Sequence, residues 1–177
     1  MNLLMLITNG FEEVEAVGTI GILRRAKLNL DVASLHDHSA TGRFGATLTN
    51  LLNIDDIDAS KYDVLVLAGG PQYVEMSASE KVKQIIMHFH EKDKYIAAIC
   101  AAPTILGEMG LLKNKKYTCF TSMNKDFGGT YVDEYTIRDG KLVTGRSAAA
   151  TIDFALNIVE ALKGKEFTDI LKKSIYY

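Results

Sequence analysis

Residues 62–70 read YDVLVLAGG, and this stretch decides the fold. Val64 to Ala68 are apolar without a break, and two glycines stop the run. A strand that alternated would have one wet face; an unbroken apolar strand is covered on both faces, as in a parallel sheet between two layers of helix. Toward the C-terminus, Ser77 stands three residues before Glu80, a capping box that opens a helix over KVKQIIMHFHEKD. YIAAIC then reads as a second buried strand, followed by a helix over AAPTILGEMG that closes at Gly110. Toward the N-terminus, LLMLIT ends at the turn pair Asn9-Gly10. The helix EEVEAVGTIGILRRA follows, with acids in its first turn and Arg24 and Arg25 in its last, matching the helix dipole at both ends. NLDVASL and ATLTNLL are further extended pieces. Beyond residue 115 come KKYTCFT and DEYTIRDGKLVTG, the second folded at Asp139-Gly140 as a two-residue hairpin. The amphipathic helix TIDFALNIVEALKG, stopped by Gly164, precedes a last short segment, FTDILKKSIYY. Strands alternating with helices predict an α/β three-layer sandwich: a mainly parallel sheet, helices on both faces and a small antiparallel hairpin.

A chain of 177 residues with 47% apolar composition predicts one domain over 1–177 with one well-buried core. Its 20 basic and 22 acidic residues leave a formal charge of −2 with no basic patch, so neither nucleic acid nor an anionic membrane is an expected partner. No apolar run reaches the ~20 residues needed to span a bilayer. The first residues read as a strand and not as a signal peptide, because they lack a basic leader and the largely apolar run gives way to acids from Glu12. Two cysteines make no disulfide framework. A cytoplasmic protein with reduced thiols is expected.

In an open α/β sheet, ligands bind at the carboxyl ends of the strands. Three features fall there: the acids Glu12 to Glu15, the pair Gly69-Gly70, and Cys100. Ala98-Ile99-Cys100-Ala101-Ala102 has small residues two before and two after the cysteine, the spacing a sharp strand-to-helix elbow demands around a nucleophile. Pro103 suits a first helical turn. A thiol at a helix N-terminus is expected to titrate below the free value of about 8.5. The backbone N–H groups of the Gly69-Gly70 turn, with that of Ala101, could form an oxyanion hole. Glu12 and Glu13 are explained as first-turn acids on a solvated face. Glu15, among Val14, Ala16 and Val17, is expected to be buried, with a raised pKa suited to proton transfer. Asn9, Cys119 and Phe120 complete the candidate pocket, with Cys119 also readable as a packed strand residue.

All four histidines, His36, His38, His88 and His90, precede Cys100, which disfavours an amidotransferase with a downstream histidine. His88 and His90 point to different faces of a helix; His36 and His38, with Asp37, end a strand and could share one face, but a solvated loop is the preferred account, so no metal site is expected. No phosphate-binding glycine motif occurs, and no cofactor is expected.

Together, NGFEEVEAV, VLVLAGG, AAICAAPTIL and TIDFALNIVEALKG resemble the ThiJ/PfpI superfamily, in the branch of the parkinsonism-associated protein deglycase and its bacterial YajL-like relatives. The resemblance spans essentially the whole chain. It implies a flavodoxin-like fold, a homodimer, Cys100 as nucleophile, Glu15 as its carboxylic partner, and oxyanion groups on the backbone of Gly70 and Ala101. The activities it implies are cofactor-free conversion of small aldehydes such as methylglyoxal to hydroxy acids, repair of glycated substrates, redox sensing through the cysteine, and chaperone behaviour. Three positions depart from the pattern. Ala101 stands where the superfamily's proteases have histidine, which argues against proteolysis. Phe120 stands where a histidine is usual. Ser147-Ala148-Ala149-Ala150-Thr151 replaces the usual G-P-G-T loop.

Gly18 and Gly21 lie inside the first helix, where each costs about 0.8–1 kcal/mol relative to alanine. Close backbone approach would offset that, either to the protein's own sheet or to the same helix of a second copy, and the resemblance favours the second.

Overall fold

The computed structural model describes residues 1–177. The first half runs β1 (Asn2–Ile7), α1 (Glu13–Arg25), β2 (Asn29–Ser34), β3 (Ser39–Thr41), β4 (Thr47–Thr49), β5 (Leu52–Asn53) and β6 (Val64–Leu67). It continues through α2 (Tyr73–Ala78), α3 (Glu80–Glu91), β7 (Tyr95–Ile99), α4 (Pro103–Glu108), β8 (Lys116–Tyr117) and β9 (Thr130–Tyr131). The chain closes with β10 (Thr136–Asp139), β11 (Leu142–Gly145), α5 (Thr151–Lys163) and α6 (Lys165–Ser174).

The main sheet has the order β10-β11-β7-β6-β1-β2-β5, all neighbours parallel except the β10–β11 hairpin. Its five central strands follow the flavodoxin-like order 2-1-3-4-5, which reverses direction between β1 and β6. Strand alternation divides β1 between two cores: Leu3, Met5 and Ile7 face α1, α5 and α6, while Leu4 and Leu6 face α2, α3 and α4. All five are fully buried, as the unbroken apolar strands require.

Several local expectations need correction. The cap of α3 is Ser79, whose hydroxyl accepts from the Val82 N–H; Ser77 lies within the separate short helix α2 and donates to the Val74 carbonyl. ATLTNLL splits, β4 pairing antiparallel with β3 and β5 joining the edge of the main sheet. Of KKYTCFT only Lys116 and Tyr117 form a strand, and the closing segment is a helix. The β10–β11 hairpin turns one residue later than expected, at Gly140-Lys141, because Asp139 pairs with Leu142; Gly140 has φ +63°. Helix α1 buries one face only, through Glu15, Ala16, Thr19 and Leu23, while Val14 and Val17 are exposed. Gly18 meets α5 and not the sheet: a Cβ there would lie 2.8 Å from Thr151 Cγ2. Gly21 faces open space.

Candidate active site

The site straddles the point where strand order reverses, and each part is delivered by a different strand end. Cys100 follows β7 directly and adopts φ +64°, a left-handed conformation that costs a non-glycine residue of order 1–3 kcal/mol unless its surroundings enforce it. They do so on both sides. The Cys100 N–H donates to the Gly145 carbonyl at 2.9 Å, and its carbonyl accepts from the Phe120 N–H at 2.8 Å. Ala98, Ala101 and Ala102 are buried around the bend.

Glu15 comes from the first turn of α1 and is fully buried. Its Oε2 accepts from the Gly69 N–H at 2.9 Å, and its carboxyl stands beside the Cys100 side chain. Gly69 fits between them because it has no side chain: a Cβ would lie 2.6 Å from both Cys100 Cβ and Glu15 Oε2. Gly70, at φ +92°, is packed as tightly, since a Cβ there would lie 2.5 Å from the Glu12 N. The N–H groups of Gly70 and Ala101 favour the thiolate form of Cys100. The two glycines, Ala101, Cys100 and Glu15 are therefore brought together.

The electrostatics differ from the expectation in one respect. Burial raises the Glu15 carboxyl to about 7, with the charge of Glu12 adding to the rise, and bonds with Cys100 and Gly69 and the charge of Arg43 opposing it. The Cys100 thiol is pushed up, not down: burial is the main cause and the ionised Glu15 the second, outweighing the Ala101 and Gly70 N–H groups. Helix α4 has only six residues, too few for a strong dipole.

Two acids assigned to a solvated face have structural partners. Glu12 is buried and caps α1, accepting from the Glu15 N–H at 2.9 Å. Glu13 Oε1 accepts from the N–H groups of Phe44 and Ala46, at 2.6 and 3.4 Å, fastening the 42–46 loop to the first turn of α1. Gly42 is required there, because a Cβ would lie 2.5 Å from that carboxyl. The same loop presents Arg43, stacked on Phe44 at 4.8 Å. Sequence reasoning missed Arg43; the only local signal was its place between Gly42 and Gly45.

Other candidates lie further out. Asn9 Oδ1 accepts from the Thr41 N–H, which binds the loop rather than facing the thiol. Phe120 touches the site through its backbone, with a partly exposed ring. Cys119 is fully buried in the opposite core from the one Cys100 packs against, and burial raises its thiol to about 11. Ser147 precedes a single 3₁₀ turn, and Thr151 beyond it meets Gly18. His36 pairs with Glu75, and His38 bonds the Leu51 carbonyl. No three His, Cys, Asp or Glu side chains converge as a metal site would require.

Protein DJ-1 homolog B of Arabidopsis thaliana is 36% identical over 169 residues, 93% of this chain but only 38% of that protein. A protein of Thermococcus kodakarensis named a deglycase is 32% identical over 82% of this chain and 90% of its own. A Caenorhabditis elegans protein named a glutathione-independent glyoxalase is 25% identical over 98% of this chain and 94% of its own. The crystal structure of Drosophila melanogaster DJ-1beta superposes with a TM-score of 0.92 at 30% identity, covering 99% of this chain and 98% of that one. The DJ-1/PfpI family profile matches residues 1–161, and with a flavodoxin-like sheet carrying a cysteine elbow against a buried glutamate, this chain belongs to the DJ-1/PfpI family.

Proposed function

We propose that the protein is a cysteine-dependent, cofactor-free enzyme that converts small reactive aldehydes, methylglyoxal among them, to hydroxy acids. One observation carries this reading: the buried Glu15 carboxyl, held by the Gly69 N–H at 2.9 Å, and Cys100 flank Gly69 so closely that a Cβ there would lie 2.6 Å from both. A general base is most effective when its pKa lies near the working pH, and Glu15 meets that condition. Relatives named deglycase and glutathione-independent glyoxalase support the substrate class.

The buried thiol reacts by passing its proton to Glu15 as the Cys100 Sγ–carbon bond forms. The aldehyde oxygen takes up negative charge between the Gly70 and Ala101 N–H groups. Glu15 returns the proton to that oxygen, giving a hemithioacetal. Ionised again, it takes the hydrogen from the former aldehyde carbon and delivers it to the neighbouring carbonyl carbon, while the hydroxyl proton moves to the second oxygen. The product is a thioester of a hydroxy acid, and water displaces the sulfur to restore the thiol. The overall reaction is redox-neutral and consumes one water.

The test is steady-state turnover of methylglyoxal without added thiol or metal. The wild type turns over and Cys100→Ser does not; a Cys100→Ser enzyme as active as the wild type overturns the reading.

A further inference from the structure

Residue 72 is a glutamine with its side chain almost wholly removed from water, at 2% exposure. It sits at the reversal of strand order. The parallel pairing of β1 with β6 ends at Leu6 opposite Leu67; past that point the strands part to open the crevice. The next polar groups, the Thr8 N–H and the Ala68 carbonyl, would be left without ladder partners. Both find one in the same carboxamide: Thr8 N–H donates to Gln72 Oε1 at 2.7 Å, and Gln72 Nε2 donates to the Ala68 carbonyl at 2.8 Å. A side-chain amide thus stands in for a peptide unit at the parting of two strands, where an unpaired buried donor or acceptor would cost about 1–3 kcal/mol.

The backbone around Gln72 reaches the site directly. Its N–H donates to the Gly10 carbonyl at 3.3 Å, the Tyr73 N–H donates to the Gly70 carbonyl at 3.1 Å, and the Glu12 N–H donates to the Gly69 carbonyl at 3.1 Å. An outer tier steadies the arrangement: Thr8 Oγ1 donates to Glu75 Oε2 at 2.9 Å, and the other oxygen of Glu75 pairs with His36. The Glu12–Glu15 turn and the Gly69–Gly70 turn are therefore stitched to each other by backbone bonds, next to the buried amide that joins the strand ends leading into them.

We propose that Gln72 is a positioning residue for the Cys100 site, holding the Gly69–Gly70 turn against Cys100 and Glu15 by spanning the gap where β1 and β6 separate. This rests on the oxyanion-donor role proposed above for the Gly70 N–H, and it is testable without any assumption about the aldehyde.

The experiment measures the rate of Cys100 alkylation by iodoacetamide against pH, in a Cys119→Ser background so that one thiol reports. Thermal melting runs alongside. Gln72→Leu keeps the bulk and removes both bonds. Expected is a folded protein whose alkylation profile moves up by about one pH unit, so that the rate at a fixed pH below the midpoint falls about tenfold. Gln72→Glu keeps an acceptor for Thr8 but, once ionised, cannot donate to Ala68; its profile should move in the same direction by less. An unchanged profile in a folded Gln72→Leu overturns the proposal, whatever its melting temperature. Should Gln72→Leu not fold, Gln72→Glu decides by the same criterion. Methylglyoxal turnover is measured separately: a wild type without turnover, together with shifted profiles, removes the enzymatic reading and leaves Gln72 in its role. Turnover with unshifted profiles does the reverse.

Discussion

Glu15 lowers the stability of the fold for the same reason that it suits proton transfer. Its carboxyl binds a proton near pH 7 when folded, against 4.5 for the ordinary value, so the folded state holds more protons than the unfolded one between those limits. The stabilisation is complete below about pH 4.5 and is lost as pH rises through 7. Relative to Glu15→Gln, the wild type should therefore lose about 3 kcal/mol of unfolding free energy from pH 4.5 to 8, as read from denaturant titrations at several pH values. An equal pH dependence in the two proteins would contradict the assignment. The same variant should lower aldehyde turnover about 10²–10⁴-fold, the usual contribution of a positioned acid–base group. Gly69→Ala puts a methyl against both partners, and we expect turnover to disappear with a loss of about 1–3 kcal/mol in stability. Cys100 and Glu15 were legible because each breaks its local pattern, one as a thiol flanked by small residues and the other as a carboxyl among apolar neighbours. The direction of the thiol's shift was not legible, since it depends first on how deeply the tertiary fold buries Cys100 and then on the Glu15 charge brought in from the first βα unit.

Elements were legible where their periodicity was long. The central strands and α1, α3 and α5 follow from apolar runs and helical spacing. The failures are short pieces whose form is decided by neighbours. Helix α2 has six residues and opens after the Pro71-Gln72 pair, so Ser77 looked like a cap when the break lies at Ser79. Ser79→Ala should cost about 1 kcal/mol in chemical denaturation and Ser77→Ala close to nothing; the opposite order would restore the capping box. The contact between α1 and α5 was invisible in the sequence, because nothing local tells Gly18 that Thr151 lies against it.

At the scale of the molecule, the glycine argument has divided. Gly18 is accounted for within the chain, whereas Gly21 faces open space on a helix whose Val14 and Val17 are 55% and 45% exposed. Phe44, on the loop fastened to the same helix, is 74% exposed. Apolar side chains left uncovered along one helix are what a self-complementary interface would bury. We expect sedimentation to give a homodimer at micromolar concentration and Gly21→Leu to weaken it without lowering the melting temperature of the monomer. A monomeric wild type would show that the face has no such partner. No helix is long and apolar enough to cross a membrane.

The order in which the chain closes its site has a consequence for synthesis on the ribosome. Glu15, Gly69 and Cys100 all emerge with the first hundred residues, but the acceptor for the Cys100 N–H is Gly145, and the neighbour that seats Gly18 is Thr151. Lys163 then reaches back across 137 positions to the carbonyl of Ala26. Until α5 leaves the exit tunnel, the thiol and carboxyl stand on an incomplete sheet, without the bond and the packing that hold the elbow in its left-handed bend. From the synthesis of Cys100 until the segment from Gly145 to Thr151 has joined the sheet, the nascent chain therefore carries that thiol without the bond and the packing that fix its bend.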